Sequence, residues 1–191
     1  MPLQNRVAPS GELIATPARG TFMGNRGVLH DERRRIVRHA NSNLWIVCLL
    51  EFKDRRLEIM RPARYTQLFF LDEAVALAAG HRPCAECRRP AYRGYLDAVG
   101  IGGAPELNQR LRESRAAVRP VTPVADLPDG TFVADGADFR LVWRGALHRW
   151  TPSGYVDPVA ATDAPLQVVT PALSVTALAR GYPVSVHPSA A

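Results

Sequence analysis

Two cysteines separated by two residues are the residues of this sequence best suited to chemistry. Cys84 and Cys87 lie in the run GHRPCAEC, residues 80–87. The turn between such cysteines can direct both sulfurs at one point and expose N–H groups that stabilise thiolates, as in a zinc knuckle. A thioredoxin-type redox pair would open a helix directly after a strand, whereas a short helix and its glycine precede Cys84. The spacing therefore favours Zn²⁺ as the cofactor.

Tetrahedral zinc needs two further ligands, and the sequence has no second cysteine pair with this spacing. Histidine, a carboxylate, Cys48 or water can fill the remaining positions. Cys48 lies inside the apolar run LWIVCLLEF, residues 44–52, which is typical of a buried strand. Its predicted role there is that of a small core residue.

Three segments carry a resemblance to a known family. They are FMGNRGVLH at residues 22–30, FFLDEA at 69–74 and AGHRPCAEC at 79–87. Together they resemble the zinc-binding domain of the Ada-type DNA-repair proteins, over about residues 22–89. The resemblance implies a zinc-knuckle core in which His30 is the ligand delivered by the first half.

The first half of this resemblance differs from the family pattern at two points. The position of the family's second ligand is Arg34, which cannot bind zinc, and an inserted hairpin occupies roughly residues 41–60. The resemblance therefore does not imply methyl-phosphotriester repair, the activity of the Ada-type family, for this chain. The fourth ligand is left open between His81, another histidine (His39 or His148) and water.

A second resemblance, to the zinc-dependent nucleobase deaminases, nominates the same ligands. Those enzymes carry H-x-E followed by P-C-x-x-C, with one His and two Cys on zinc and the Glu moving protons. The chain has His30-Asp31-Glu32 and, from Pro83, the run PCAEC. This alternative predicts a zinc-dependent hydrolase or deaminase with water as the fourth ligand and Glu32 as acid/base.

The charge of the chain is concentrated in its first two-thirds. Residues 1–119 contain 20 basic and 12 acidic groups, and the net charge of the whole sequence is +6. Guanidinium groups match phosphate oxygens, so DNA or RNA is the predicted partner, with Arg82, Arg88 and Arg89 as binding residues. The same arginines can instead offset the negative charge of zinc-bound thiolates.

The predicted fold class is α+β, with a zinc-knuckle core, a β-hairpin and short helices followed by a C-terminal antiparallel β unit. We expect a poorly ordered lead-in over residues 1–19, a zinc-knuckle domain over 20–119 and a β-rich part over 120–191 packed on it. No run of 18 apolar residues exists, so no membrane span is predicted. Three cysteines are too few for a disulfide framework, which favours the cytoplasm.

These observations predict a zinc-binding protein associated with nucleic acid, in which Cys84, Cys87, His30 and His81 are the candidate ligands and the zinc is structural. The zinc hydrolase or deaminase is the alternative function. A protein-interaction module is a third.

Overall fold

The computed structural model describes residues 1–54 and 58–191. The first of its two sheets contains six strands within this part of the chain. They are β1 (Gln4–Val7), β2 (Leu13–Ala15), β3 (Phe22–Asn25), β4 (Ile46–Cys48), β5 (Leu68–Phe70) and β6 (Arg82–Pro83). Their order is β2-β1-β5-β3-β4-β6. The pairs β1–β5 and β4–β6 are parallel and the other neighbours are antiparallel.

The second sheet is antiparallel throughout, as the sequence predicts for the C-terminal part. Its strands are β7 (Val121–Pro123), β8 (Phe132–Asp135), β9 (Asp138–Trp143), β10 (Ala146–Thr151), β11 (Gly154–Ala160) and β12 (Pro165–Val168). Their order is β11-β10-β9-β8-β12-β7. Turns of two residues join β8 to β9, β9 to β10 and β10 to β11. In the first two of these turns, Gly136 and Gly145 accept the positive φ that such turns need.

Four α-helices complete the described fold, and the predicted α+β class is confirmed. They are α1 (Glu73–Ala78), α2 (Arg89–Val99), α3 (Ala104–Ala116) and α4 (Ala172–Ala179). Tyr95, Leu107, Leu111 and Leu178 form a cluster that packs α2, α3 and α4 together. No helix among the described residues has both the length and the apolar character needed to cross a membrane.

The central helix α1 joins the two sheets. All six of its residues are buried. Asp72 caps it by accepting the Val75 N–H at 2.9 Å, as aspartate commonly does at a helix N-terminus. The second carboxylate oxygen of Asp72 accepts the Tyr155 hydroxyl at 2.7 Å, so the cap also binds the C-terminal sheet. Around α1, the largest hydrophobic cluster contains side chains from both sheets, including Val47, Phe70, Phe132 and Leu141.

The structure corrects the expected elements at the N-terminus and in the inserted segment. Residues 1–19, predicted as a poorly ordered lead-in, contain β1 and β2, because Arg6 pairs with Phe69 of β5 and so extends the sheet. The apolar run at residues 44–52 forms a strand only at Ile46–Cys48.

The predicted hairpin of the insertion is only partly testable. Part of its turn, at Arg55 and Arg56, and the first residue of its returning strand, Leu57, lie outside the described residues. Glu58, Ile59 and Met60 are described and are not in a strand.

Candidate metal centre

Three cysteines from two distant segments meet at one edge of the first sheet. Cys48 is the last residue of β4, and Cys84 directly follows β6. These strands run parallel with Val47 opposite Pro83, so Cys48 and Cys84 occupy equivalent positions on neighbouring strands. Such positions lie about 4.8 Å apart and point to the same face of a sheet. The turn before α2 then brings Cys87 to the same point.

The geometry of this cysteine cluster, defined as Cys48, Cys84 and Cys87, fits a tetrahedral metal ion. The three Sγ atoms all lie within 4.8 Å of one another, and none of the three cysteines is in a disulfide. Zinc–sulfur bonds of about 2.3 Å in a tetrahedron place sulfurs about 3.8 Å apart, so a small contraction is enough. Thiols are also soft donors, which bind metals such as zinc and copper(I).

Backbone N–H groups are arranged to stabilise thiolates in this cluster. The Glu86 N–H donates to Cys84 Sγ at 3.4 Å. This hydrogen bond and one from the Cys87 backbone lower the pKa of Cys84. A hydrogen bond from the Leu49 backbone acts to lower the pKa of Cys87 in the same way. This is the hydrogen-bonding pattern expected of a knuckle built to carry negative sulfur.

The three thiols share their protons. The hydrogen bond from the Cys48 thiol, the largest cause, lowers the pKa of Cys84 to about 2. Conversely, the hydrogen bond to Cys84, together with burial, raises the pKa of Cys48 far above its usual range. Without a cation only one of the three therefore ionises readily, because each further thiolate would face a negative neighbour. A divalent ion removes that obstacle.

The structure places the two predicted histidine ligands outside the cysteine cluster. His30 Nδ1 lies 2.7 Å from Thr66 Oγ1, and its Nε2 lies 3.2 Å from the Arg61 carbonyl oxygen. Both ring nitrogens therefore have partners that tie two loops together. His81 is fully buried and accepts a hydrogen bond from Arg26 Nε at 3.2 Å.

The two other candidate histidines also lie elsewhere. His39 is within 3.2 Å of Arg26 Nη1. His148 Nε2 lies 3.3 Å from the Trp143 carbonyl oxygen in the second sheet. The third donor is instead Cys48, to which the sequence analysis assigned a core role. It comes from the segment that interrupts the resemblance to the Ada-type domain.

The predicted phosphate-binding arginines divide into two buried residues and one exposed residue. Arg82 donates to Asn108 Oδ1 at 3.0 Å and to the Pro83 carbonyl at 2.8 Å. Arg88 forms a buried ion pair with Glu73 at 2.8 Å, and its guanidinium also lies over the Phe22 ring. These two hold the knuckle against α1 and α3, whereas Arg89 is exposed at the start of α2.

A cavity of about 460 Å³ opens beside the cysteine cluster, and all three cysteines line it. Most of its other walls are apolar, and its polar side chains include Asn25, Glu51, Gln67 and Glu86. The apolar residues are Met23, Ile46, Leu49, Leu50, Phe52, Ile59 and Phe69. Glu32, the acid/base of the deaminase alternative, does not line this cavity and lies in an exposed turn.

Comparisons with known proteins add no relative. No family model matches the chain, and searches for similar curated proteins and solved structures return no match. No local sequence signal identifies Cys48 as a site residue. In the structure it is followed by Leu49 and Leu50, which are 39% and 47% exposed and line the cavity.

Proposed function

We propose that this chain is a zinc protein in which Cys48, Cys84 and Cys87 hold the metal and the fourth coordination position faces the apolar cavity. One observation carries the proposal: three mutually close thiols all line a single cavity. Three protein ligands and an accessible fourth position are typical of zinc sites that bind or activate a small molecule, whereas structural sites are closed by four protein ligands.

The donor set supports an open site. Within residues 1–54 and 58–191 the group of close metal-binding side chains contains these three cysteines and no histidine or carboxylate. Bound zinc would act there as a Lewis acid on a ligand that enters from the cavity. Zinc-assisted hydrolysis of a small molecule is the reaction class that such a site suits.

The cavity walls indicate the kind of molecule. Large apolar side chains dominate the lining, and a few polar groups in it can orient one end of a ligand. A volume of about 460 Å³ is in the range of sites for small organic ligands. We therefore expect a mostly apolar ligand that presents one donor atom to the metal.

The decisive experiment measures the zinc content of the purified protein and of its cysteine variants. The purified protein should contain one zinc per chain, and Cys48→Ser should lose it as completely as Cys84→Ser. His30→Asn should retain full zinc occupancy, which makes it the matched control. Wild-type protein without stoichiometric metal, or Cys48→Ser with normal zinc, would contradict the proposal.

The open position has a separate test. In the cobalt-substituted protein, added azide or a small thiol should shift the d–d absorption bands, because it enters a position that no side chain fills. The sulfur-to-cobalt charge-transfer band should persist, since the three thiolates stay bound. Unchanged d–d bands at saturating azide and thiol would indicate a closed, structural site.

A second proposal, association with DNA or RNA, rests on a basic surface. His30 Nε2 contacts the Arg61 carbonyl and so joins the loops at residues 31–38 and 61–64. These loops expose Arg33, Arg38, Arg61 and Arg64. Binding to duplex DNA or RNA should weaken steeply with salt and should fall in Arg61→Ala/Arg64→Ala. Absence of binding to either at low salt would remove this proposal and leave the zinc site untouched.

A further inference from the structure

A guanidinium group is buried in the first sheet without an acidic partner. Arg26 follows β3 and is 0% exposed. Its Nη1 donates to the Gly11 carbonyl at 2.9 Å and its Nε to His81 Nε2 at 3.2 Å. Nη1 also lies 3.2 Å from His39 Nε2. Its Nη2 is buried and has no hydrogen-bond partner.

A second guanidinium stands next to it. Arg115, in the last turn of α3, donates to the Gly80 carbonyl at 3.0 Å. The guanidinium carbons of Arg26 and Arg115 lie 4.2 and 4.3 Å from the centroid of the same Trp45 ring. Burial, and then the charge of Arg115, lowers the pKa of Arg26 to about 9. The two cations therefore repel each other, and Arg26 is shielded from water.

No carboxylate balances this arginine cluster, defined as Arg26, Arg115, Trp45, His39 and His81. None of the ion pairs in the described residues includes Arg26 or Arg115. The hydrogen-bond acceptors that they use are carbonyl and imidazole groups, which carry no net charge. A buried charge is normally paired, because removing a guanidinium from water without a counter-charge is costly.

The missing counter-charge has a place to enter. A cavity of about 330 Å³ lies between the two sheets, and Arg115, Arg119, His39, Trp45 and Gln167 are among its lining residues. Gly11 lines the same cavity, and Arg26 Nη2 lies 3.5 Å from the position of a Cβ on that glycine. The unpartnered Nη2 thus lies behind Gly11, and Arg26 itself is not among the residues that line the cavity. Arg119 already donates to Val169, Ser114 and Ala117 carbonyls.

We propose that this cavity is a binding site for a small molecule that carries an oxyanion, which is either a phosphate or a carboxylate. Arg115 contacts the anion directly, and Arg26 is the buried charge behind it. Two guanidinium groups on one tryptophan ring match an anion that has several acceptor oxygens. The site is separate from the cysteine cluster and does not depend on the proposed zinc function.

Calorimetric titration of the full-length, metal-loaded protein tests this site. The probes are inorganic phosphate, acetate and a short duplex DNA, all at constant ionic strength. Saturable binding of phosphate or acetate is expected, and the comparison of the two identifies the preferred oxyanion. Arg115→Gln should weaken the preferred anion by about tenfold or more, because a charge-assisted contact is lost. Arg110→Gln, an exposed arginine on the same helix, should leave the affinity unchanged.

A second variant keeps the test valid if Arg115→Gln folds poorly. Gln167 is exposed on β12 and lines the cavity, so Gln167→Glu introduces a carboxylate without disturbing the core. It should raise the melting temperature and weaken phosphate binding, because the new carboxylate supplies the counter-charge. Equal stabilisation of wild type and both cavity variants by phosphate would overturn the proposal, since phosphate stabilises many proteins by exclusion from their surface. Binding of duplex DNA alone would overturn it as well.

Discussion

The cysteine cluster and the arginine cluster lie at opposite ends of one pair of strands. Trp45 and His81 precede β4 and β6, with ring centroids 5.2 Å apart, and Cys48 and Cys84 follow at the other end. At about 3.3 Å per residue, three residues separate the two ends by about 10 Å. One end concentrates thiols, which can bind a cation, and the other concentrates positively charged guanidinium groups.

A third group of charged residues, next to these two clusters, contains both signs of charge. Arg88 and Glu73 are both buried, like Arg26, but they form an ion pair, and Tyr182 donates to the same carboxylate at 2.5 Å. There the protein supplies both signs. At the cysteine cluster and the arginine cluster it supplies one sign only, so a cation is expected at the first and an anion at the second. The difference distinguishes binding sites from structural ion pairs.

Removal of zinc should have the largest effect on the stability of the protein. Chelation should lower the free energy of unfolding by several kcal/mol, on the order of 10 °C in melting temperature, because three close thiols lose their shared cation. Thermal unfolding with and without chelator measures it. Cys87→Ser, which should hold no zinc, serves as control and should not respond to chelator. An equal response of both proteins would show that the metal is not held by the cysteine cluster.

Loss of Arg88 should be the next largest effect. Arg88→Met leaves the Glu73 carboxylate buried and unpaired, which should cost about 3–5 kcal/mol in urea unfolding. The neighbouring variant Arg89→Met removes an exposed charge and should change stability by about 0.5 kcal/mol or less. Equal losses of unfolding free energy in both variants would show that the Arg88–Glu73 ion pair does not stabilise the fold.

The acid sensitivity of stability should report on His81. Burial, and then the charges of Arg26 and Arg115, hold the pKa of His81 well below its usual range. Because this pKa is lower in the folded than in the unfolded state, stability is present above about pH 6.5 and is lost as pH falls. His81→Phe should reduce the slope between pH 7 and 5.5 by up to about 1.4 kcal/mol per pH unit.

Denaturant unfolding at several pH values and saturating zinc provides that measurement. Zinc release in acid affects wild type and variant alike, so the difference between their slopes isolates the histidine. Identical slopes would show that His81 takes up a proton in the folded state and is not held neutral by the arginines.

Replacement of Arg26 should have the smallest effect, although Arg26 is at least as buried as Arg88. Arg26→Met gives up hydrogen bonds to Gly11 and His81 but also removes an uncompensated charge, so a net cost of about 1 kcal/mol or less is expected. Urea unfolding in phosphate-free buffer measures it. A loss as large as that of Arg88→Met would mean that the charge of Arg26 is already balanced within the protein.

Local sequence patterns were enough to predict the elements whose ends carry capping or turn residues. Asp72 begins α1 because its carboxylate accepts the Val75 N–H, and Gly80 follows the helix with a φ of +84°, as its sequence position predicts. The α+β class and the antiparallel C-terminal sheet also follow from turn residues and alternating patterns. Cys84 and Cys87 were identified because their spacing alone brings them together.

The residues that complete each site come together only through the packing and strand register of the folded chain. Cys48 joins the pair because β4 runs parallel to β6 in a register that makes Cys48 and Cys84 neighbours, and no local pattern encodes a register between segments 36 residues apart. The same holds for Arg26 and Arg115, which lie far apart in sequence and meet on Trp45. Arginine count and net charge are identical whether a guanidinium faces water, a carboxylate or a cavity. Burial and pairing, which depend on the whole fold, decide which of these it is.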